Sequence, residues 1–341
     1  MLTLAATVTL IACCGSPPGL SAESPPQRYE FRQMQMGMPF KIVVYAVDED
    51  SANGAARAAY ARIRQLNGIM SDYDADSELM RLCRTAGRGE RVPVSPELLA
   101  VLSRAQTLSR HSDGAFDVTV GPLVRLWRQA RKSGQFPSPE AVEEARGAVG
   151  YRQIALDEPA GTVELKHTGM RLDLGGIAAG YAVDEALRVL KQQGIHSALI
   201  DASGDIGVSD PPPGQAGWRI GIAPLEPEAD PSRYLLLKNA AVTTSGDAYQ
   251  FIEFEGRRYS HIVDPRTGLG LTERSSVTVI APDCTTADSY ATAVSVLGPD
   301  KGLKLIEATP HAAALIVRAP DGTPQTFESK RLKQYLEGSQ K

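Results

Sequence analysis

The stretch DLGGIAAGYAVD, running from Asp173 to Asp184, joins an acidic residue to two adjacent glycines and then to helix-forming alanines. Glycine lets main-chain N–H groups approach a phosphate closely, and a helix opening near Gly176 to Gly180 would aim its positive end at an anion. A tight turn is the other reading of such a segment, since glycine is the commonest turn residue. Four more segments share the pattern: GAFDVTVGPLV (Gly114 to Val124), SGD (Ser203 to Asp205), TSGD (Thr244 to Asp247) and HIVDPRTG (His261 to Gly268). Each sets backbone freedom beside a polar group.

Downstream, Thr286 to Thr292 (TADSYAT) reads as the first turns of a helix that continues to Leu297 and stops at Gly298. Asp288 and Thr292 then stack on one face. A carboxylate and a hydroxyl so placed offer two hard oxygen ligands, which suits Mg2+ held by few protein groups and completed by waters or phosphates. The same spacing also fits a helix N-terminal charge and a core threonine.

Around these segments, the strand-like FKIVVY (Phe40 to Tyr45) precedes a helix over Ala55 to Ile69, where Ala59, Ile63 and Leu66 recur at helical spacing. Ser95-Pro96-Glu97 and Ser138-Pro139-Glu140 each read as a capped helix start. The second half alternates strands, at Ser197 to Ile200, Trp218 to Ile222, Tyr234 to Leu237, Ser276 to Ile280 and Ala312 to Val317. A hairpin is expected where Phe251 to Phe254 and Arg257 to Ile262 flank Glu255-Gly256. Strands in runs and helices in runs predict an α+β fold.

The 341 residues are 43% hydrophobic and 22% charged, an ordinary globular balance, and the net charge of −4 argues against a sequence-independent nucleic-acid binder. Met1 to Ala22 holds no charged residue, and its apolar part is shorter than the roughly 20 residues a membrane span needs. Leu10-Ile11-Ala12-Cys13 has the form of a lipoprotein cleavage site, although no Lys or Arg precedes the apolar run. An ordinary signal cleaved after Ala22 is the alternative. Residues 1–28 are therefore expected to be a leader and tether, the Pro- and Ser-rich Gly15 to Gln27 being unable to bury a core, and 29–341 the folded domain. Of four cysteines, Cys83 and Cys284 remain beyond the leader and are expected to be unpaired; neither has a zinc-like neighbour pattern.

The strings GAFDVTVGPLV, DLGGIAAGYAVD, TSGD, SHIVDPRTG and TTADSYATAVSVLG, in this order and spacing, resemble the ApbE family, the FAD:protein FMN transferases. The likeness runs from Met36 to Val317. It implies an ApbE-like, T-fold-related fold in which a mixed sheet packs with helices, FAD as substrate, and Mg2+. Matching the family's positions, Met36, Tyr73, Ala115, Phe116, Asp117, Asp173, His261 and Ile262 would contact FAD. Gly176 through its carbonyl, with Asp288 and Thr292 through their side chains, would hold the metal.

Three departures stand out. Ala179 occupies the lysine position of the family's DLGGIAKG, so a contact to FAD is lost or supplied elsewhere, and Asp201-Ala202-Ser203 replaces the usual Asn-x-Gly. Met38 likewise replaces the Thr of the family's MGT. His261 or Asp247 is the expected proton acceptor, with a plain hydrogen bond to phosphate as the other role for His261. The implied partners are exported flavoprotein subunits of membrane redox complexes, met on the periplasmic side of the inner membrane by a protein lipid-anchored at Cys13. The competing readings are a pyrophosphatase yielding FMN and AMP, and a non-catalytic flavin carrier.

Overall fold

A computed structural model describes residues 25–225, 229–246, 250–320 and 322–338. Cys13, the rest of the leader and Asp247 lie outside the described residues. In chain order the strands are β1 (Gln27–Gln35), β2 (Met38–Ala46), β3 (Val92–Pro93), β4 (Ile154–Asp157), β5 (Thr162–Leu165), β6 (Ala198–Ala202), β7 (Asp205–Val208), β8 (Trp218–Gly221), β9 (Tyr234–Leu237), β10 (Ala240–Gly246), β11 (Phe251–Phe254), β12 (Arg257–Ser260), β13 (Ser275–Ala281), β14 (Ala313–Arg318) and β15 (Gln325–Glu328). The helices are α1 (Glu49–Met70), α2 (Glu78–Cys83), α3 (Pro96–His111), α4 (Gly121–Ser133), α5 (Pro139–Gly147), α6 (Ala178–Gln192) and α7 (Cys284–Ala308).

Local chemistry sets these boundaries. Ser95 and Ser138 cap α3 and α5 by accepting the N–H of Leu98 and Ala141, each with proline in the first turn. The first long helix starts ahead of the expected Ala55, because Asp48 accepts from Ser51 N–H at 2.7 Å and Glu49 and Asp50 suit the helix dipole. At Gly298 the backbone leaves helical geometry (φ 72°, ψ −178°), so the expected stop is a break after which α7 resumes through Pro299. Thr244 to Gly246 differs from a turn. It completes β10 opposite β13, where a Cβ on Gly246 would crowd the Ser275 carbonyl at 3.0 Å.

The main sheet runs β1-β2-β6-β7-β10-β13-β14-β15 with every neighbour antiparallel. All seven residues of β13 are buried, the mark of a strand covered on both faces. One face carries α1, α6 and α7, whose Ala59, Ile63, Leu66, Ala182, Val183 and Ala186 pack on Phe40, Ile42 and Val44. Fully burying a Val, Leu, Ile or Phe side chain of this set contributes about 1.5–3 kcal/mol. The other face packs Val43, Val208 and Leu315 against the β8–β9 ribbon through Trp218, Ile220 and Leu235. The fold is α+β, with the helical layer bringing the first turns of α6 and α7 together.

Candidate active site

That helix junction is built on small residues. A Cβ on Gly180 would run into the Cys284 carbonyl and stand 2.9 Å from Asp288 Cβ, so only glycine lets the α6 backbone lie against α7. Gly180 N–H donates to Asp288 Oδ2 at 3.1 Å. One turn earlier, a Cβ on Gly176 would meet Thr292 Oγ1 at 2.9 Å and Phe116 at 3.4 Å. Gly176, Phe116, Asp288 and Thr292, read from three separate segments, thus meet in one place. Asp184, farther along α6, accepts the N–H groups of Cys284 and Thr285 at 2.7 and 2.9 Å and the Thr285 hydroxyl at 2.5 Å, fixing the start of α7.

Asp288 is 4% exposed. Burial, and next the charge of Asp205, push its carboxyl well above the ordinary range, against the pull of Gly180 N–H. Burial likewise raises Asp205 to about 7, opposed by a hydrogen bond from Thr243 and assisted by Asp201, and raises Asp184 to about 6 against its Thr285 bonds. Three acids facing one another, with no arginine or lysine bonded to Asp288 among the described residues, form an electrostatic deficit that a cation would relieve. The donor set is one carboxylate, one hydroxyl and backbone carbonyls, hard oxygens suited to Mg2+. No group of three His, Cys, Asp or Glu side chains that could hold a metal occurs among the described residues, so any ion here would need oxygens from substrate or water.

A pH dependence follows for the metal-free protein. The folded pKa values of Asp184 and Asp205 lie above the ordinary 3.8, so the native state holds more protons than the unfolded chain between about pH 4 and 7. Stability in EDTA should therefore fall as pH rises through that window, and Asp205→Asn should make that fall shallower. Denaturant melts at both ends of the window measure this; an unchanged slope in the variant would count against the assignment.

On the far side of the Gly175-Gly176 turn, Asp173 Oδ1 accepts Gly175 N–H at 2.8 Å and Oδ2 pairs with Arg128 at 2.9 Å. Arg128 also bonds Asp72 and lays its guanidinium 4.4 Å from the centre of the Tyr73 ring. Tyr73 is 79% exposed. Asp117 is committed locally, accepting from Thr119 N–H and hydroxyl and from Tyr151 N–H at 2.6–2.8 Å, so it shapes the loop that presents Ala115 and Phe116. Ala115 packs with Ile262 and with Val296 of α7. His261 beside them hydrogen-bonds Gln250 O through its N–H, with Nδ1 3.3 Å from the same oxygen.

Met36, at the β1–β2 turn, takes a left-handed backbone (φ 49°) and packs on the main core. The β6–β7 turn joins that hairpin through Ser203 Oγ to Pro39 O at 3.2 Å and Lys41 to Asp201 at 3.0 Å. Ala179 is buried in the first turn of α6. Three residues of this region went unassigned from sequence: Arg128, Asp184 and Asp205. Only Asp205 and Asp184 lay within segments that stood out.

The ApbE family model matches residues 36–316. The chain belongs to the ApbE family. A FAD:protein FMN transferase of Vibrio cholerae is 33% identical over 279 residues, covering 80% of this chain and 82% of that protein. One of Treponema pallidum is 31% identical over 307 residues, covering 85% and 84%. Among solved structures, the ApbE protein of Thermotoga maritima superposes with TM-score 0.80 at 32% identity, over 91% of this chain and all of that one. The Pseudomonas stutzeri flavinyl transferase ApbE in its apo form gives 0.80 at 30% identity, over 92% and 98%. The ApbE fold expected from the motif order is the fold found.

Proposed function

We propose that this ApbE protein cleaves FAD and transfers its FMN half to a Thr or Ser hydroxyl of an exported flavoprotein subunit, releasing AMP, with Mg2+ bound at Asp288, Thr292 and the Gly176 carbonyl. The observation that carries the metal assignment is the junction of α6 and α7, which places Gly176 against Thr292 and leaves buried Asp288 with a single N–H donor among the described residues. The ion would neutralise charge on the phosphoryl oxygens. The acceptor oxygen attacks the FMN phosphorus, the bond from that phosphorus to the bridging oxygen breaks, and AMP carries that oxygen away. The acceptor proton passes to His261 or Asp247. Tyr73 and Asp173 hold one ring system of FAD, and Met36, Ala115, Phe116 and Ile262 line the rest of its site, with Asp117 bracing the loop.

Incubating pure protein with FAD, Mg2+ and candidate acceptors tests the proposal. AMP together with a fluorescent protein band supports transfer. AMP with free FMN means hydrolysis, and no AMP means a flavin carrier.

Export and lipid anchoring at Cys13 complete the proposal. No helix among the described residues is long and apolar enough to cross a membrane, so attachment would rest on the lipid. Cys13→Ser should release the protein from the membrane fraction or block its maturation. Unchanged membrane association, with cleavage elsewhere, would refute the lipidation site.

A further inference from the structure

Two arginines of α4, Arg128 and Arg131, lie three residues apart and so share one side of the helix. Their circumstances differ. Arg128 is fully engaged, by Asp72, Asp173 and the ring of Tyr73. Arg131 has its Nη1 buried with no hydrogen-bond partner among the described residues. Burial, then the charge of Arg128, lower its pKa, and Tyr73 is the one group that acts to raise it. Nearby, Arg171 donates to the Asp72 carbonyl at 2.8 Å. The carboxylates of Asp72 and Asp173 thus pair with Arg128 and the Asp72 carbonyl holds Arg171, while Arg131 lies beside Arg128 and Tyr73 with no carboxylate bonded to it among the described residues.

A half-buried cation beside a like charge, with a buried donor unsatisfied, is costly, and such a group persists where its partner arrives with a ligand. A guanidinium takes acceptor oxygens, best in pairs. Next to it Tyr73 carries Arg128 against its ring yet leaves 79% of the residue exposed, an aromatic side chain mostly open to a ligand. We propose that Arg131 is a further substrate-binding residue, turning its guanidinium to acceptor oxygens of FAD while a ring of the ligand stacks at Tyr73. The inference rests on the FAD reading of this site. Two parts of FAD carry suitable oxygens, the diphosphate and the carbonyl edge of the isoalloxazine.

The test is equilibrium binding of FAD, ADP and riboflavin to full-length protein in EDTA, so that no turnover intervenes. Arg131→Gln should weaken FAD about ten- to hundredfold, the loss of one charge-assisted hydrogen bond. If the partner is a phosphate, ADP weakens with FAD and riboflavin does not; if it is the ring edge, riboflavin weakens and ADP holds. Arg131→Lys should keep part of the affinity. The unliganded variant should melt no lower than wild type, because an unpaired, half-buried charge is gone, while its stabilisation by FAD shrinks. Wild-type FAD affinity in Arg131→Gln, with loss in Tyr73→Ala, would leave the site intact and overturn the role of Arg131. A lowered unliganded melting temperature with normal FAD binding would make the residue structural. Failure of wild type to bind FAD at all would instead sink the FAD reading.

Discussion

Asp288→Ala should abolish the proposed Mg2+-dependent cleavage of FAD, while Thr292→Val should weaken it and be partly rescued by excess Mg2+. The asymmetry follows from charge. Asp288 is the only full negative charge among the three proposed ligands, and it is buried where water cannot substitute for it. A metal Lewis acid is worth several kcal/mol to a phosphoryl transition state, so its loss should cost about a thousandfold or more in rate. Thr292 gives up one neutral oxygen, a position that a water can fill. Stability should move the other way. In EDTA, Asp288→Ala removes a carboxylate whose ionised form is disfavoured by burial and by Asp205, so the metal-free variant should melt no lower than wild type. Titrating Mg2+ and FAD separately against both variants checks the scheme. Full activity of folded Asp288→Ala at limiting Mg2+ would refute it.

What could be read without the structure was local. Ser95-Pro96 and Ser138-Pro139 announce helices because capping and proline act within one turn, and the structure shows both caps. Asp288 and Thr292 share a helix face by the same short-range rule. Their meeting with Gly176 is long-range, and only the likeness to a known family anticipated it. Arg128 lies 56 and 45 positions from its partners Asp72 and Asp173, and Asp184 lies 100 from Cys284. No periodicity encodes those pairings, because they arise when tertiary packing sets α4 and α6 against segments distant in the chain. TSGD was ambiguous for a related reason: glycine serves both turns and close strand approach, and only the register of β10 with β13 decides between them.

Gly180→Ala should damage both folding and the proposed metal site, although it adds a single methyl group. That methyl would strike the Cys284 carbonyl and lie 2.9 Å from Asp288 Cβ. Neither obstacle is the end of a flexible side chain. The clash can be relieved only by moving α6 away from α7. Overpacking of this kind costs about 1–3 kcal/mol, and an obstructing backbone puts this site at the upper end. Retreat of α6 would stretch the 3.1 Å bond from Gly180 N–H to Asp288, pull Asp184 off the start of α7, and open the gap between Gly176 and Thr292. Mg2+ affinity should therefore fall together with melting temperature. Gly180→Val should worsen both effects. Gly54 of α1 is the matched control: a Cβ there meets nothing within 4 Å, so Gly54→Ala should raise stability by about 0.5–1 kcal/mol and leave metal binding unchanged. Thermal melts and Mg2+ titrations of the two alanine variants compare the same chemical change at an open and a closed position. If Gly180→Ala behaves like Gly54→Ala in both measurements, close contact of the two helices does not shape the metal site.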